Sequence, residues 1–177
     1  MCNHKTCAKL RAKGAGKGVG VAVFEHYNGS IPVIMLGHER GGQYKGEMNM
    51  CAGKLDPSDG GCYIVGAKRE LREEFKIDVT SVNFDQIFKN SRTNRVRVMM
   101  IGKTPIFIGV FHGISRDPIN KTIAICNSTQ RPHCEQEMNF VNWIDIRTMN
   151  PIDTKYPNHK ISSFATSFIS NFDVSRL

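Results

Sequence analysis

The chain has 177 residues, of which 40% are hydrophobic and 23% charged, and its 24 Lys and Arg against 16 Asp and Glu give a net charge of +8. This length suits one domain with a sizeable core, and no apolar run approaches the ~20 residues that span a bilayer. The first residues also lack the apolar core of a secretory signal. Composition therefore excludes a membrane protein, a disordered tail and a disulfide-rich miniprotein, and we expect a soluble, cytoplasmic domain.

The six cysteines, without an export signal, indicate free thiols in a reducing compartment. Near the start of the chain, Cys2, His4 and Cys7 are residue types that ligate metals, and His133 or Cys134 could complete such a group. Their spacing matches none of the usual zinc pairs. Both interpretations, a metal site and unliganded thiols, stay open on the sequence alone.

Positive charge is concentrated in two segments, residues 1–20 and 86–104, which contain lysines and arginines but no acidic residue. An excess of this size attracts polyanions such as nucleic acid or polyphosphates, although it does not choose among them. The alternative is a solvated tail and a soluble hairpin. The charge pattern is compatible with either.

In chain order, residues 1–17 are polar and basic and are expected to form a mobile arm, followed by a single domain over residues 18–177. Strands are predicted at Val19–Phe24 and Ile31–Leu36, joined by a turn at Asn28-Gly-Ser. A glycine-rich loop then leads into residues 48–55.

Helical periodicity begins after Cys62, where Ile64, Ala67, Leu71 and Phe75 recur at the spacing of one helix face. Further strands are predicted at Val96–Ile101, Pro105–His112, Thr122–Cys126 and Phe140–Ile146. Residues 157–172 carry an apolar stripe that predicts a second, C-terminal amphipathic helix. Strands in runs with two helices favour an α+β domain built in layers.

The first of these helices carries the residues that could take part in catalysis or bind a metal. Glu70, Glu73 and Glu74 stand at i, i+3 and i+4, so their carboxylates share one face. Such a face repels itself unless a cation is present, and Mg2+ prefers oxygen ligands of this kind. The alternative is an exposed acidic face neutralised by neighbouring basic residues, namely Lys68, Arg69 and Arg72.

The surrounding segment, Gly53 to Ile77, resembles the Nudix box, whose pattern is G-x5-E-x7-R-E-U-x-E-E-x-G-U with U a bulky apolar residue. Here Gly53 opens the pattern and Arg69-Glu70-Leu71-Arg72-Glu73-Glu74-Phe75-Lys76-Ile77 closes it. Three departures are evident. Asp59 replaces the first Glu, the loop before the helix is two residues longer, and Lys76 replaces a glycine for which a left-handed backbone is expected, at a strain cost of roughly 1 kcal/mol.

Residues 37–46 and 135–143 are also similar to the family, so the resemblance extends over most of the chain from Gly18 to Phe172. It implies a Nudix-like α/β/α sandwich with a mixed sheet, a catalytic loop-helix at the box and a C-terminal amphipathic helix. It also implies hydrolysis of a diphosphate linked to another moiety. A homodimer is compatible with it.

The resemblance assigns roles residue by residue. Mg2+ or Mn2+ would be held by four groups: Glu70, Glu73, Glu74 and the carbonyl of Gly53. The catalytic set would be Glu73, Glu137 and Arg69. In that set Arg69 orients the glutamates with Asp59 as its partner, and Glu137 is chosen over Glu135 as the further acid that takes a proton from water.

The resemblance implies a phosphoanhydride substrate, and the basic character of the chain favours a capped RNA, since each cation that neutralises a phosphate adds affinity. The box with its Asp-Gly-Gly insertion also loosely resembles Nudix proteins of large DNA viruses. The residues expected to bind substrate are Arg40, Lys45, Lys54, Arg95 and Arg97. Two alternatives remain: a pyrophosphatase for NDP-sugars, dinucleoside polyphosphates or diphosphoinositol polyphosphates, and an inactive Nudix-fold module that binds RNA or protein.

Overall fold

The computed structural model describes Cys2 and residues 4–27, 31–129, 137–153, 155–156 and 158–177. Its helices are α1 Lys5–Ala12, α2 Tyr63–Glu74, α3 Ser81–Phe88, α4 Arg116–Ser128 and α5 Ser163–Asn171. Its strands are β1 Gly18–Tyr27, β2 Ile31–Glu39, β3 Met48–Asn49, β4 Cys51–Lys54, β5 Lys89–Asn90, β6 Arg95–Val96, β7 Val98–Ile101, β8 Thr104–Val110, β9 Met138–Asp145 and β10 Asn150–Pro151. Across these ranges, no helix combines the length and apolarity needed to cross a membrane.

One mixed sheet organises the molecule. Its strand order is β10-β9-β2-β1-β8-β7, with β3 added to β2 and β4 added to β1. Strand β1 runs antiparallel to β2 and β4 but parallel to β8. Strands β5 and β6 form a separate two-stranded pair. The predicted mixed sheet is therefore confirmed.

Alternate side chains of β1 belong to two different cores, as expected for a strand buried on both faces. Val21 and Val23 pack in the core formed with α1, α2, α3 and α4. Ala22 and Phe24 pack in the core formed with α5. Helices thus cover both faces of the sheet, which gives the α+β, three-layer architecture that the sequence predicts.

The C-terminal amphipathic helix is present as α5, with Ala165, Phe168 and Ile169 buried against the sheet. It is shorter than the predicted span of 157–172. Ser162 ends the preceding extended segment, because its hydroxyl accepts a hydrogen bond from the backbone N–H of Ala165 and so caps the helix.

The N-terminal segment differs from the expected mobile arm. Residues 5–12 form α1, and Cys7 and Leu10, three residues apart on one helix face, are buried in the core. The chain after α1 is also held, since the hydroxyl of Tyr63 donates to the carbonyl oxygens of Ala15 and Gly16. The segment was predicted to be mobile because most of its residues are polar or basic, and two buried positions are too few to show as an apolar pattern in the sequence.

The predicted strand Thr122–Cys126 is wrong, because these residues lie within α4. Ile119, Ile123 and Cys126 are spaced four and three apart and are buried on one face of the helix. A run of β-branched residues favoured a strand locally, but packing of this face decides the structure. Helix α3 was not predicted, and the predicted turn at Asn28-Gly-Ser lies outside the described residues.

Candidate active site

Helix α2 carries the box residues and packs against β1 and β4 through its apolar face. The helix ends at Glu74, and the chain then turns sharply through Lys76, which has a φ of 56°. The left-handed backbone expected at this position is therefore present. The ammonium group of Lys76 donates to the carbonyl oxygen of Glu73, so this lysine also satisfies a backbone group left free at the end of the helix.

The loop before α2 accommodates its two extra residues in a tight turn. A 3-10 turn spans Pro57–Asp59, and Asp56 and Asp59 cap it reciprocally through their side chains. Gly60 and Gly61 follow with φ values of 58° and 69°, in the left-handed region that glycine adopts without a steric penalty. The turn leaves the buried carboxylate of Asp59 facing α2.

Arg69 is the centre of a charge network. Its Nε and Nη2 atoms donate to the two carboxylate oxygens of Asp59, at 3.2 and 3.1 Å. Its Nη1 donates to Oε2 of Glu73 at 2.6 Å, and its Nη2 lies 2.8 Å from Oε1 of Glu70 and donates to the carbonyl of Lys54. The expected contact between Arg69 and Asp59 is present, and it fixes the guanidinium between the loop and the helix.

A second group of carboxylates, which includes Glu74 of the same helix face, lies near Glu70. Glu74 is 3% exposed, and its Oε2 accepts a hydrogen bond of 3.0 Å from the backbone N–H of Ala52. Glu39, at the end of β2, accepts a hydrogen bond of 3.0 Å from the side chain of Asn49. Glu137 follows in the loop before β9, and the carbonyl of the same residue accepts from the backbone N–H of Arg40 at 2.8 Å.

A Cβ atom at Gly53 would overlap the carboxylate of Glu70, so any side chain at this position would displace that carboxylate. The absence of a side chain lets the buried carboxylate of Glu70 approach the backbone at the end of β4. The first residue of the box and the first glutamate of its helix are thus in direct contact.

The electrostatics of this second group are unfavourable in the absence of a cation. Burial raises the pKa of Glu70 to about 7, and the charges of Glu137 and Glu73 add to this while Arg69 opposes it. Burial also raises the pKa of Glu74 well above its usual range, with further contributions from Glu70, Glu137 and Glu39. The pKa of Glu39 is raised by burial and by Glu137. Proximity of like charges and loss of water both disfavour the ionised forms.

This donor set fits a hard divalent cation. All the side-chain donors are carboxylate oxygens, and within the described part of the chain Glu39, Glu74 and Glu137 take part in none of the ion pairs. Mg2+ and Mn2+ favour such oxygen ligands, and Mg2+ usually retains several waters. The residues placed to hold it are Glu39, Glu70, Glu74, Glu137 and the carbonyl of Gly53.

The carboxylates do not converge as closely as a preformed cage would. Among the described residues, the only three such ligand atoms within 4.8 Å of one another are cysteine sulfurs, none of which belongs to this site. A cation bound by the glutamates would therefore either draw them together or bind partly through retained water, as Mg2+ commonly does.

The carboxylates open into a cavity of about 300 Å³. Its lining contains residues of the glycine-rich loop, the box, the loop before β9 and several strands, namely Gly18, Glu39, Gly42, Gln43, Tyr44, Asn49, Ala52, Gly53, Glu74, Thr104, Glu137 and Phe164. A neighbouring cavity of about 440 Å³ shares Glu39, Gly42 and Glu137 with it and is also lined by Arg40. The two together are large enough for a substrate of several phosphate groups beside the carboxylates.

The structure brings only part of the predicted substrate-binding set to this cavity. Arg40 lines it, and its guanidinium donates to the side chain of Asn127 at 2.9 Å. Lys54 is exposed beside Gly53, whereas Lys45 is exposed in the loop between β2 and β3 and is not part of the lining. Of the two lysines, Lys54 is therefore the better candidate for binding substrate.

Arg95 and Arg97 lie elsewhere. Arg97 is half-buried, and its Nη1 donates to the carbonyl of Ile87 in α3 at 3.1 Å. Arg95 is exposed on β6, and neither arginine lines the two cavities that the carboxylates share. Within the described residues, these two arginines are therefore not at the candidate site, whereas the end of the same basic segment, at Thr104, reaches the cavity lining.

Sequence reasoning missed Glu39 and Asn49. The available signal was an acidic residue directly after the apolar strand Ile31–Leu36, in a segment that already resembled the family. Glu135, the alternative to Glu137, lies outside the described residues.

Comparison with known proteins gives a result only at the level of structure. No protein-family model matches the sequence, and no curated protein matches it significantly. A Nudix hydrolase from M. smegmatis, RenU, superposes with a TM-score of 0.51 at 10% identity, covering 86% of this chain and 80% of its own.

Two further structures show weaker likeness. A MutT/nudix family protein from Enterococcus faecalis has a TM-score of 0.49 at 8% identity, and the match covers 86% of this chain but only 58% of that protein. The NUDIX domain of Shewanella oneidensis NrtR, complexed with ADP ribose, has a TM-score of 0.47 at 13% identity and 96% coverage of both chains. On the likeness to RenU and the three-layer arrangement described above, this chain has the Nudix fold.

Proposed function

We propose that this protein is a divalent-cation-dependent pyrophosphohydrolase that cleaves a phosphoanhydride bond in a nucleoside diphosphate linked to another moiety, and that its substrate is the 5′ cap of mRNA. The observation that carries the proposal is a group of four carboxylates at a cavity rimmed by basic residues: Glu70 and Glu74 are buried, Glu39 is half-buried and Glu137 is exposed. Buried carboxylates of raised pKa beside a cavity are typical of functional sites.

In this proposal each residue has a defined task. A bound Mg2+ or Mn2+ would neutralise phosphate oxygens and lower the pKa of water. Glu39, Glu70, Glu74 and the carbonyl of Gly53 would hold the cation, together with Glu73, which Arg69 orients. Glu137, which lines the same cavity, would accept the proton of the attacking water. Arg69 acts as a positioning residue, because it fixes Glu73 at 2.6 Å and anchors it to the buried Asp59.

The reaction follows from these tasks. Water adds to a phosphorus of the cap while the bond to the bridging oxygen breaks, and the products are a capped nucleoside diphosphate and an RNA with a 5′-monophosphate. Glu70 and Glu74 are buried, whereas Glu137 is exposed, so Glu137 can pass the proton on to solvent.

A polyanionic substrate suits the rim of the cavity. Lys17, Lys54 and Lys103 are exposed, and each directly adjoins in sequence a residue of the cavity lining. The backbone connects them, since Gly18 pairs with Lys54 and the N–H of Gly16 donates to the carbonyl of Lys103. An RNA gains affinity from each such contact, whereas a small nucleotide needs few of them.

The decisive experiment uses RNA labelled in its methylated cap, incubated with the protein and Mg2+ or Mn2+. We expect release of the capped nucleoside diphosphate, and we expect Glu73→Gln and Glu137→Gln each to lower the rate at least about 100-fold without loss of folding. Glu47→Gln is the matched control, because Glu47 pairs with Lys160 and does not line the cavity.

Other results would separate the alternatives. No release from capped RNA, together with Glu73-dependent hydrolysis of an NDP-sugar, a dinucleoside polyphosphate or an inositol pyrophosphate, would contradict the cap and support a small-molecule pyrophosphatase. Unchanged hydrolysis by Glu73→Gln would contradict the catalytic assignment. If none of these substrates is hydrolysed, the result would favour a module that binds RNA or protein without catalysis.

A further inference from the structure

Three thiols meet where α1 contacts the beginning of α2. The sulfur atoms of Cys2, Cys7 and Cys62 all lie within 4.8 Å of one another. Cys7 is on the buried face of α1, and Cys62 is the N-cap residue of α2, so residues 55 positions apart are brought together. His4, which the sequence placed beside Cys2 and Cys7, is exposed and is not part of the group.

The spacing of the sulfurs is that of a metal site. The Sγ atoms of Cys7 and Cys62 are 3.7 Å apart. In a tetrahedral zinc site with Zn–S bonds of about 2.3 Å, neighbouring sulfurs are separated by about 3.8 Å. The pair therefore already has the length of one tetrahedral edge, and Cys2 lies close enough to supply a third corner.

The surroundings also suit a bound ion. Cys7 and Cys62 are 0% and 4% exposed, whereas Cys2 is half-buried and gives access from solvent. Arg11 holds the surrounding backbone, donating to the carbonyl oxygens of Gly61 and Cys2. All three thiols are free, so no disulfide occupies them.

We propose that Cys2, Cys7 and Cys62 bind one Zn2+ ion, with water in the fourth position, and that this ion fastens the N-terminal segment to the start of the helix that carries the carboxylates. Thiolate ligands select a thiophilic ion such as Zn2+, whereas the glutamates select a hard one, so the two sites are chemically distinct. Binding displaces the thiol protons into solvent. The role is structural and is independent of the proposed hydrolysis.

The test uses the full-length, reduced protein with excess Mg2+ to saturate the carboxylates, and Co2+ as a spectroscopic probe of the thiols. We expect sulfur-to-cobalt charge-transfer absorption and intense visible bands of tetrahedral cobalt, saturating at one equivalent and displaced by Zn2+. Cys126→Ser is the matched control, because Cys126 is a buried cysteine on α4 outside the group, and it should leave the spectrum unchanged.

Substitution of each of the three cysteines should, unlike the control, change metal binding. Cys7→Ser and Cys62→Ser should abolish the charge-transfer absorption, and Cys2→Ser should weaken Zn2+ binding at least about 10-fold. Because Cys7 and Cys62 are buried, Cys2→Ser is the variant that keeps the test valid if the others fail to fold. In the wild type, but not in Cys2→Ser, Zn2+ should also raise Tm, as expected for a ligand of the folded state.

Two results would overturn the proposal. One is the absence of sulfur-to-cobalt absorption in the reduced wild type. The other is absorption of equal strength in the wild type and Cys2→Ser, which would place the ion elsewhere. Hydrolysis is not part of either measurement, so failure of the zinc site and failure of the proposed function are distinguished.

Discussion

Two groups of carboxylates flank the same helix and differ in how their charge is balanced. In the paired group, Asp59 and Glu73 both contact the guanidinium of Arg69, which balances part of their charge. In the unpaired cluster, Glu39, Glu74 and Glu137, the described contacts include backbone and amide donors but no basic side chain. Residues of the same type thus form a brace around Arg69 in one group and a set of oxygen ligands suited to a cation in the other.

The largest effect is expected from Glu74→Gln, which removes one charge from the unpaired cluster. Hydrolysis should fall at least about 100-fold, equivalent to about 2.7 kcal/mol in the barrier. The metal-free protein should become more stable, because a buried like charge is lost. The rate of hydrolysis with Mg2+ and the free energy of unfolding in EDTA measure the two effects. If Glu74→Gln lowered both the rate and the stability, the proposed difference between the paired group and the unpaired cluster would be wrong.

Arg69→Ala should break the paired group and destabilise the protein by about 3 kcal/mol, because the buried Asp59 loses its counter-ion. Arg69→Lys restores the charge but not the two-pronged contact, so its stability should lie between those of the wild type and the alanine variant. The free energy of unfolding in denaturant gives the comparison. Equal stability of Arg69→Ala and the wild type would show that the network is not a brace.

The pH dependence of stability should also separate the groups. The pKa of Glu70 is about 7 and that of Glu74 is well above its usual range, so the folded state binds these protons more tightly than the unfolded state. In EDTA, the resulting stabilisation is complete below the unfolded pKa of about 4.3 and is lost as the pH rises through about 7.

Excess Mg2+ should flatten this profile, since a cation takes over the role of the protons. Glu74→Gln should flatten it in EDTA as well. Thermal unfolding between the two pH limits is the measurement, and a metal-free stability that rises with pH over this range would contradict the electrostatic interpretation of the unpaired cluster.

The smallest effects belong to the rim. Lys54→Gln and Lys103→Gln should each raise KM for capped RNA a few-fold, leave kcat unchanged and lower the salt slope of binding by roughly one. Lys121→Gln, on the exposed face of α4, is the matched control. An equal effect of Lys121→Gln would mean that overall charge, rather than the rim beside the carboxylates, attracts the substrate.

The box could be predicted from the sequence because its information is local. The spacing of Glu70, Glu73 and Glu74 on one helix and the left-handed backbone of Lys76 both depend on residues close in the chain. The pairing of Asp59 with Arg69, ten residues apart, follows from the same short segment.

What could not be predicted depends on long-range packing. Glu39 comes near Glu74 only because the end of β2 packs against the end of α2, and Cys62 comes near Cys7 only because α1 packs against the start of α2. Arg97, basic and therefore attributed to substrate binding, is instead directed to the carbonyl of Ile87. The sequence shows that a residue is charged, but it does not show which group in the folded protein that residue contacts.

The parallel pairing of β1 with β8 has a consequence for how the chain is made. Gly20 lies opposite Ile106 and Phe24 opposite Val110, so the centre of the sheet joins segments more than eighty residues apart. During synthesis β1 emerges long before its partner, and its apolar edge stays unpaired until β8 has left the ribosome. Closing so long a loop is slow, and we expect truncated chains that end before Thr104 to aggregate rather than fold.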